Sequence, residues 1–131
     1  MDNEKYILIV SASEEKRERI SSIFYKQGDH TSDAIDHINA IDKLIRRKKN
    51  GFGLVLTDIN KQTKGFKLLS GMKKSKMWYK DLPVIGMYDR PKDKLRWSRE
   101  GGIGSLHSIF FPEDLITIVD AFYNKKLVDR T

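Results

Sequence analysis

Leu54-Val55-Leu56-Thr57-Asp58-Ile59 is an apolar run that ends on a carboxylate. A short continuous run of this kind suits a strand buried on both faces, as in a parallel sheet covered by helices, with the acid placed where the strand emerges. In open α/β sheets, ligands and chemistry gather at the carboxyl ends of the strands, so Asp58 is the first candidate functional residue. A turn-capping role for the same side chain is the plainer reading.

The flanking sequence repeats the pattern. Tyr6-Ile7-Leu8-Ile9-Val10 predicts strand 1, and Ser13 with Glu14 and Glu15 after it predicts the start of a helix that carries Ile20, Ile23 and Phe24 inward and stops at Gly28. Strand 2 is expected within residues 30–35, polar and short as an edge strand is. Ile38, Ile41, Leu44 and Ile45 mark helix 2, which runs out through Arg46-Arg47-Lys48-Lys49. After Asp58, Gly65 opens helix 3 with Phe66, Leu69 and Met72 on one side. Pro83 to Tyr88 predicts strand 4, and Pro91 opens helix 4, which Gly101-Gly102 ends. Strand 5 is expected within residues 105–110, and Pro112 opens helix 5 with Leu115, Ile118, Val119 and Phe122 as its apolar stripe. Strands alternating with helices in this way predict a doubly wound parallel sheet with helices on both faces.

Composition limits the chemistry. The 131 residues suffice for one domain and one core, so residues 1–131 are taken as a single unit, with residues 124–131 as a frayed end or linker. No cysteine is present, which excludes disulfides and thiolate sites, and the three histidines are scattered. The amino terminus is acidic, and no apolar run approaches the roughly 20 residues needed to cross a bilayer. A cytoplasmic protein without membrane association is therefore expected. The net charge of +7 is uneven: residues 43–99 hold 17 basic and 4 acidic side chains, whereas residues 1–42 hold 5 and 9. A local surplus of this kind attracts nucleic acid, anionic membrane or acidic protein, or simply solvates a surface.

In order and spacing, several segments resemble the receiver domain of bacterial two-component response regulators. They are Ile7-Leu8-Ile9-Val10 with Arg17, Ala34 with Ala40, Leu56-Thr57-Asp58-Ile59 followed by Gly65-Phe66-Lys67-Leu68-Leu69, Pro83-Val84-Ile85, and Gly101-Gly102. The resemblance covers nearly all of the chain. It implies a three-layer, five-stranded flavodoxin-like sheet of order 2-1-3-4-5, and phosphoryl transfer from a histidine kinase to an aspartate with Mg²⁺ bridging. That chemistry needs an acidic pair after strand 1, the acceptor after strand 3, a hydroxyl after strand 4 and a lysine after strand 5.

Asp58 matches the acceptor; the other positions depart from the family. The acidic pair falls on Ser11 and Ala12, the hydroxyl on Tyr88 and the lysine on Ser108, followed by Ile109 where the family has proline. The loop after Asp58 is one residue shorter than usual. Asp58 is thus expected to be a vestigial phosphoacceptor in a degenerate receiver with no cofactor and no enzymatic activity. Glu14, Glu15 and Asp89 are weak candidate metal ligands, and Lys61 or Lys64 a candidate replacement for the lysine. Tyr88 is expected to turn inward over strand 5, where Ser105 occupies the position of the family's switch aromatic.

The leading functional expectation is phosphorylation-independent binding of a signalling partner, such as a histidine kinase or an output protein, through the face of helix 4, strand 5 and helix 5. Trp97, Phe110, Phe111 and Tyr123 are its candidate contacts, since aromatics anchor interfaces, although core packing is the plainer role for each taken singly; the same face is a candidate homodimer surface. The alternative is a working Mg²⁺-dependent phosphoacceptor with unusual ligands. Non-specific nucleic-acid binding by the basic middle ranks third, because no reading motif accompanies the charge.

Overall fold

The computed structural model describes residues 4–47 and 51–123. The basic pair Lys48-Lys49 and the expected frayed end at residues 124–131 lie outside these residues. Five strands, β1 (Tyr6–Val10), β2 (His30–Ala34), β3 (Leu54–Asp58), β4 (Val84–Tyr88) and β5 (Gly104–His107), form one parallel sheet of order β2-β1-β3-β4-β5. The helices are α1 (Glu14–Lys26), α2 (His37–Arg46), α3 (Gly65–Lys74), α4 (Pro91–Arg99) and α5 (Pro112–Phe122), with a 3-10 turn at Trp78–Asp81. This is the doubly wound parallel sheet expected from the alternation of strands and helices, in the flavodoxin-like order that the receiver resemblance implies.

Burial explains the apolar runs at residues 7–10 of β1 and 54–56 of β3. Ile7, Ile9, Leu54, Leu56, Ile85 and Met87 face one side of the sheet, where Ile20 and Phe24 of α1 and Leu115 and Val119 of α5 cover them. Leu8, Val10, Val55 and Val84 face the other side, under Ala40 and Leu44 of α2, Leu68, Leu69 and Met72 of α3, and Trp97 of α4. Every residue of β3 is buried, so Leu54, Val55 and Leu56 are apolar whichever way they point, and the buried Thr57 satisfies its hydroxyl by donating to the Asp58 carbonyl at 3.2 Å. No helix among the described residues is long and apolar enough to cross a membrane.

The stop signals act through backbone conformation. Gly28 after α1 has φ +81° and Gly101 after α4 has φ +98°, the left-handed region where a side chain is strained. Gly65 has a different reason. A Cβ there would collide with the backbone carbonyl of Asp58, so α3 can start this close to the end of β3 only on a glycine.

Trp97 lies on the inner side of α4, 1% exposed, and its indole N–H donates to the Gly104 carbonyl at 2.9 Å. Glycines make room for the ring. A Cβ at Gly86 would come within 2.7 Å of it and within 2.5 Å of Ile59, and one at Gly102 would collide with the indole nitrogen. Phe66 of α3 meets Trp97 edge-on at 5.6 Å between ring centroids, which joins α3 to α4. Trp97 is therefore a core residue, a correction to its expected role as a partner contact.

Strand 5 begins and ends earlier than expected. The chain leaves the sheet after His107, and the apolar run that follows is split: Ile109 and Phe111 are 81% and 72% exposed, while Phe110 is buried. Arg19 of α1 holds Phe110 in place, its guanidinium donating to the Phe110 carbonyl at 2.8 Å and lying over the ring at 4.8 Å. Phe110 is thus also corrected from partner contact to core. Tyr123 is half-buried after α5, where its phenol oxygen accepts from the Tyr6 N–H at 2.8 Å. Burial pushes its pKa up from the ordinary phenol range. Phe111 alone of the four expected contacts is well exposed.

Candidate functional site around Asp58

Three loops meet above the carboxyl ends of β1 and β3, as the topology requires at a crossover of the chain. Asp58 is the last residue of β3 and is 3% exposed. A buried carboxylate must be paired and hydrogen-bonded to be tolerated. Both of its oxygens are so engaged: the Ser11 hydroxyl donates to Oδ2 at 2.5 Å, and the Lys16 ammonium donates to Oδ1.

Lys16 reaches the site from the first turn of α1. Ser13 caps that helix, its Oγ accepting from the Lys16 N–H at 3.2 Å. A cation at a helix N-terminus opposes the helix dipole by some tenths of a kcal/mol, a cost that an adjacent buried carboxylate offsets. The sequence held a signal for this residue. Three positions after a serine cap, glutamate or glutamine would complete a capping box, whereas this chain has lysine. The ammonium thus comes from α1, and neither Lys61 nor Lys64 supplies it; both are exposed.

The shortened loop closes over the acid through a residue the sequence reading missed. Thr63 is fully buried, and its Oγ1 accepts from the Ala12 N–H at 3.0 Å. Its own N–H donates to Asn60 Oδ1 at 2.7 Å, and its carbonyl accepts from the His37 N–H at 3.1 Å. One threonine therefore joins the loops after β1, β2 and β3. At the end of this loop Lys64 has φ 61°, a left-handed conformation that costs a non-glycine residue about 1 kcal/mol. Arg17 braces the same region, donating to the Ser11 carbonyl at 2.7 Å and approaching Asp33 of β2 at 3.7 Å.

The remaining expected positions are brought to the rim and not to the acid. Ser108 donates to Asp89 at 2.5 Å, so both are engaged with each other. Glu14 and Glu15 are exposed. Among the described residues, no three His, Asp or Glu side chains come together in a way that could hold a metal ion. Tyr88 is partly buried against the core beneath α3 and α4, its ring edge-on to His107 of β5 at 5.4 Å and under the Lys94 ammonium of α4 at 5.8 Å. The ring therefore spans the junction of β5 and α4, where an inward position over strand 5 alone was expected.

Chemically, the arrangement neutralises Asp58 without a metal. A carboxylate that is to attack phosphorus needs a free oxygen and a cation that can also hold the incoming phosphoryl group. Here the Ser11 hydroxyl and the Lys16 ammonium each donate to one oxygen, and the two residues after β1, Ser11 and Ala12, carry no carboxylate.

Neither a family model nor a curated protein matches the sequence. Solved structures do match the fold. The chain superposes on the chemotaxis response regulator CheY4 of Vibrio cholerae with a TM-score of 0.81 and 22% identity, over 92% of this chain and 99% of that one. A response regulator receiver protein from Pseudomonas putida gives 0.80 and 18%, over 92% and 99%. NtrX from Brucella abortus gives 0.84 and 22%, over 97% of this chain but 28% of the longer one. The chain has the CheY-like fold of response regulator receiver domains, at a low level of sequence identity to them.

Proposed function

We propose that this chain is a receiver-like signalling domain that acts by binding a protein partner without phosphorylation, without Mg²⁺ and without catalysis. The observation that carries the reading is the double engagement of Asp58 by Ser11 and Lys16. In a phosphorylated receiver the switch depends on charge arriving at the acceptor; in this chain an internal ammonium supplies the compensating charge permanently. The domain is then held in one state, and its output is a surface and not a response. A histidine kinase or an output protein of a signalling pathway is the class of partner that fits the fold.

Mg²⁺ titration tests this directly. A ligand that binds only the native state raises its stability by mass action. Millimolar Mg²⁺ is expected to leave the melting temperature and the fluorescence of Trp78 and Trp97 unchanged. A saturable rise that Asp58→Ala abolishes would contradict the proposal.

A further inference from the structure

The two helical layers differ in charge. α2, α3, the 3-10 turn and α4 carry ten basic and three acidic side chains, while α1 and α5 carry four and six. The surplus seen in the sequence is therefore one face of the molecule. Lys73 of α3 lies close to the end of α4, its Cε 3.2 Å from where a Cβ on Gly101 would stand, so the basic ends of the two helices adjoin.

The cations on this face divide by type. Most of the arginines have intrachain partners: Arg46 pairs with Asp42, Arg90 with Asp93 and Arg96 with Glu100, and Arg47 lies over Phe52 at 4.7 Å. Arg96 also lies over Phe66 at 3.8 Å. By contrast Lys67, Lys73, Lys74, Lys80, Lys92 and Arg99 are exposed and make no ion pair among the described residues. The available charge is thus mainly ammonium, which attracts anions without the bidentate geometry that reads bases.

Apolar side chains stand among these lysines. Leu95 is 60% exposed on α4, one turn from Lys92 and Arg99, and Met77 is 50% exposed beside Lys76. A phosphate backbone offers such side chains nothing to bury against. A membrane-lying helix needs a complete apolar stripe, whereas the outer side of α4 is mostly charged. A protein segment carrying both carboxylates and aliphatic side chains satisfies the lysines and covers Leu95 together.

We propose that the outer face of α3 and α4 is a docking surface for an acidic, leucine-containing protein segment. This rests on the protein-binding reading above and moves the contact away from the aromatic residues of α4, β5 and α5. Two amide-resolved NMR titrations of the full chain test it. The probes are a synthetic peptide of Glu, Asp and Leu, with its Leu→Ser counterpart, and a random-sequence DNA duplex; vesicles containing phosphatidylserine form a third arm by co-sedimentation. Shifts from the peptide are expected to concentrate on Lys67–Lys80 and Lys92–Arg99, and the Leu→Ser peptide is expected to bind severalfold more weakly.

Lys67→Glu with Lys92→Glu should weaken peptide binding about tenfold or more, while Lys26→Gln on α1 leaves it unchanged. Both glutamates fall in the first turn of a helix, where the dipole favours them, so this variant is expected to fold. Lys73→Gln with Lys74→Gln and Arg99→Gln provides a second variant at the other end of the face. Shifts confined to β5 and α5, or no loss in either variant, would overturn the surface and leave the phosphorylation-independent reading standing. Tighter binding of the duplex or the vesicles than of the peptide would overturn the assignment of a protein partner. The Mg²⁺ titration decides the reading on which the proposal rests and does not involve this face, so the two fail separately.

Discussion

Lys16→Met is expected to destabilise the protein by about 3 kcal/mol, because removal of one partner leaves the Asp58 carboxylate buried and uncompensated. The value lies at the lower end of what such losses cost, since the Lys16 side chain keeps 18% exposure and water can partly replace it. For a chain of this length the melting temperature should fall by about 10 °C. Asp58→Asn in the Lys16→Met background should recover most of the loss, since a neutral amide can keep the Ser11 hydroxyl as donor and no longer buries a charge. Thermal melts of the two single variants and the double variant close the cycle. Equal stability of Lys16→Met and the natural protein, or additive losses in the double variant, would show that the pair does not hold the site.

The second large effect is at Trp97. Trp97→Ala is expected to cost about 3–5 kcal/mol in urea unfolding, the range for removing a buried aromatic from a core that cannot collapse. Gly86, Gly102, Ile59 and Phe66 surround the ring, and its N–H bond to Gly104 is lost as well. Phe111→Ala, at an exposed position of the same expected interface, should change stability by less than about 0.5 kcal/mol. A small loss at Trp97 would mean that α4 is held chiefly by other contacts. The comparison also separates two meanings of an aromatic residue on α4, since a loss of partner binding in Trp97→Ala would report unfolding of α4 and not a contact.

The fold was legible because its determinants are local. Apolar runs at β1 and β3, helical spacing in α2 and α5, and glycines at Gly28, Gly65 and Gly101 each act within a few residues of themselves. The boundaries of β5 were less so. Ile109-Phe110-Phe111 has the composition of a strand, and the contact that holds Phe110 in the core comes from Arg19 of α1, far along the chain. Core packing was the plainer reading of Trp97, but its pocket, made by glycines on β4 and after α4, was not legible.

The site divided in the same way. Asp58 could be placed because the strand that presents it is continuous. Lys16 and Thr63 could not, because neither stands at a position that the receiver pattern marks. Four departures from the receiver pattern were legible in the sequence. The ammonium at Asp58 comes from α1 and the buried threonine from the loop after β3, and the trace of the former in the sequence is a lysine where a capping glutamate is usual.

The measurement that bears most directly on this account is the intact mass of the protein after incubation with acetyl phosphate and Mg²⁺. Both oxygens of Asp58 are engaged by Ser11 and Lys16, and Ser11 and Ala12 provide no carboxylate for a metal, so the Lys16 ammonium alone faces the charge of a transferred phosphoryl group. The expected result is an unchanged mass at all donor concentrations. A phosphoryl adduct that disappears in Asp58→Asn would contradict the account, since it would show that the carboxylate leaves its internal partners to react.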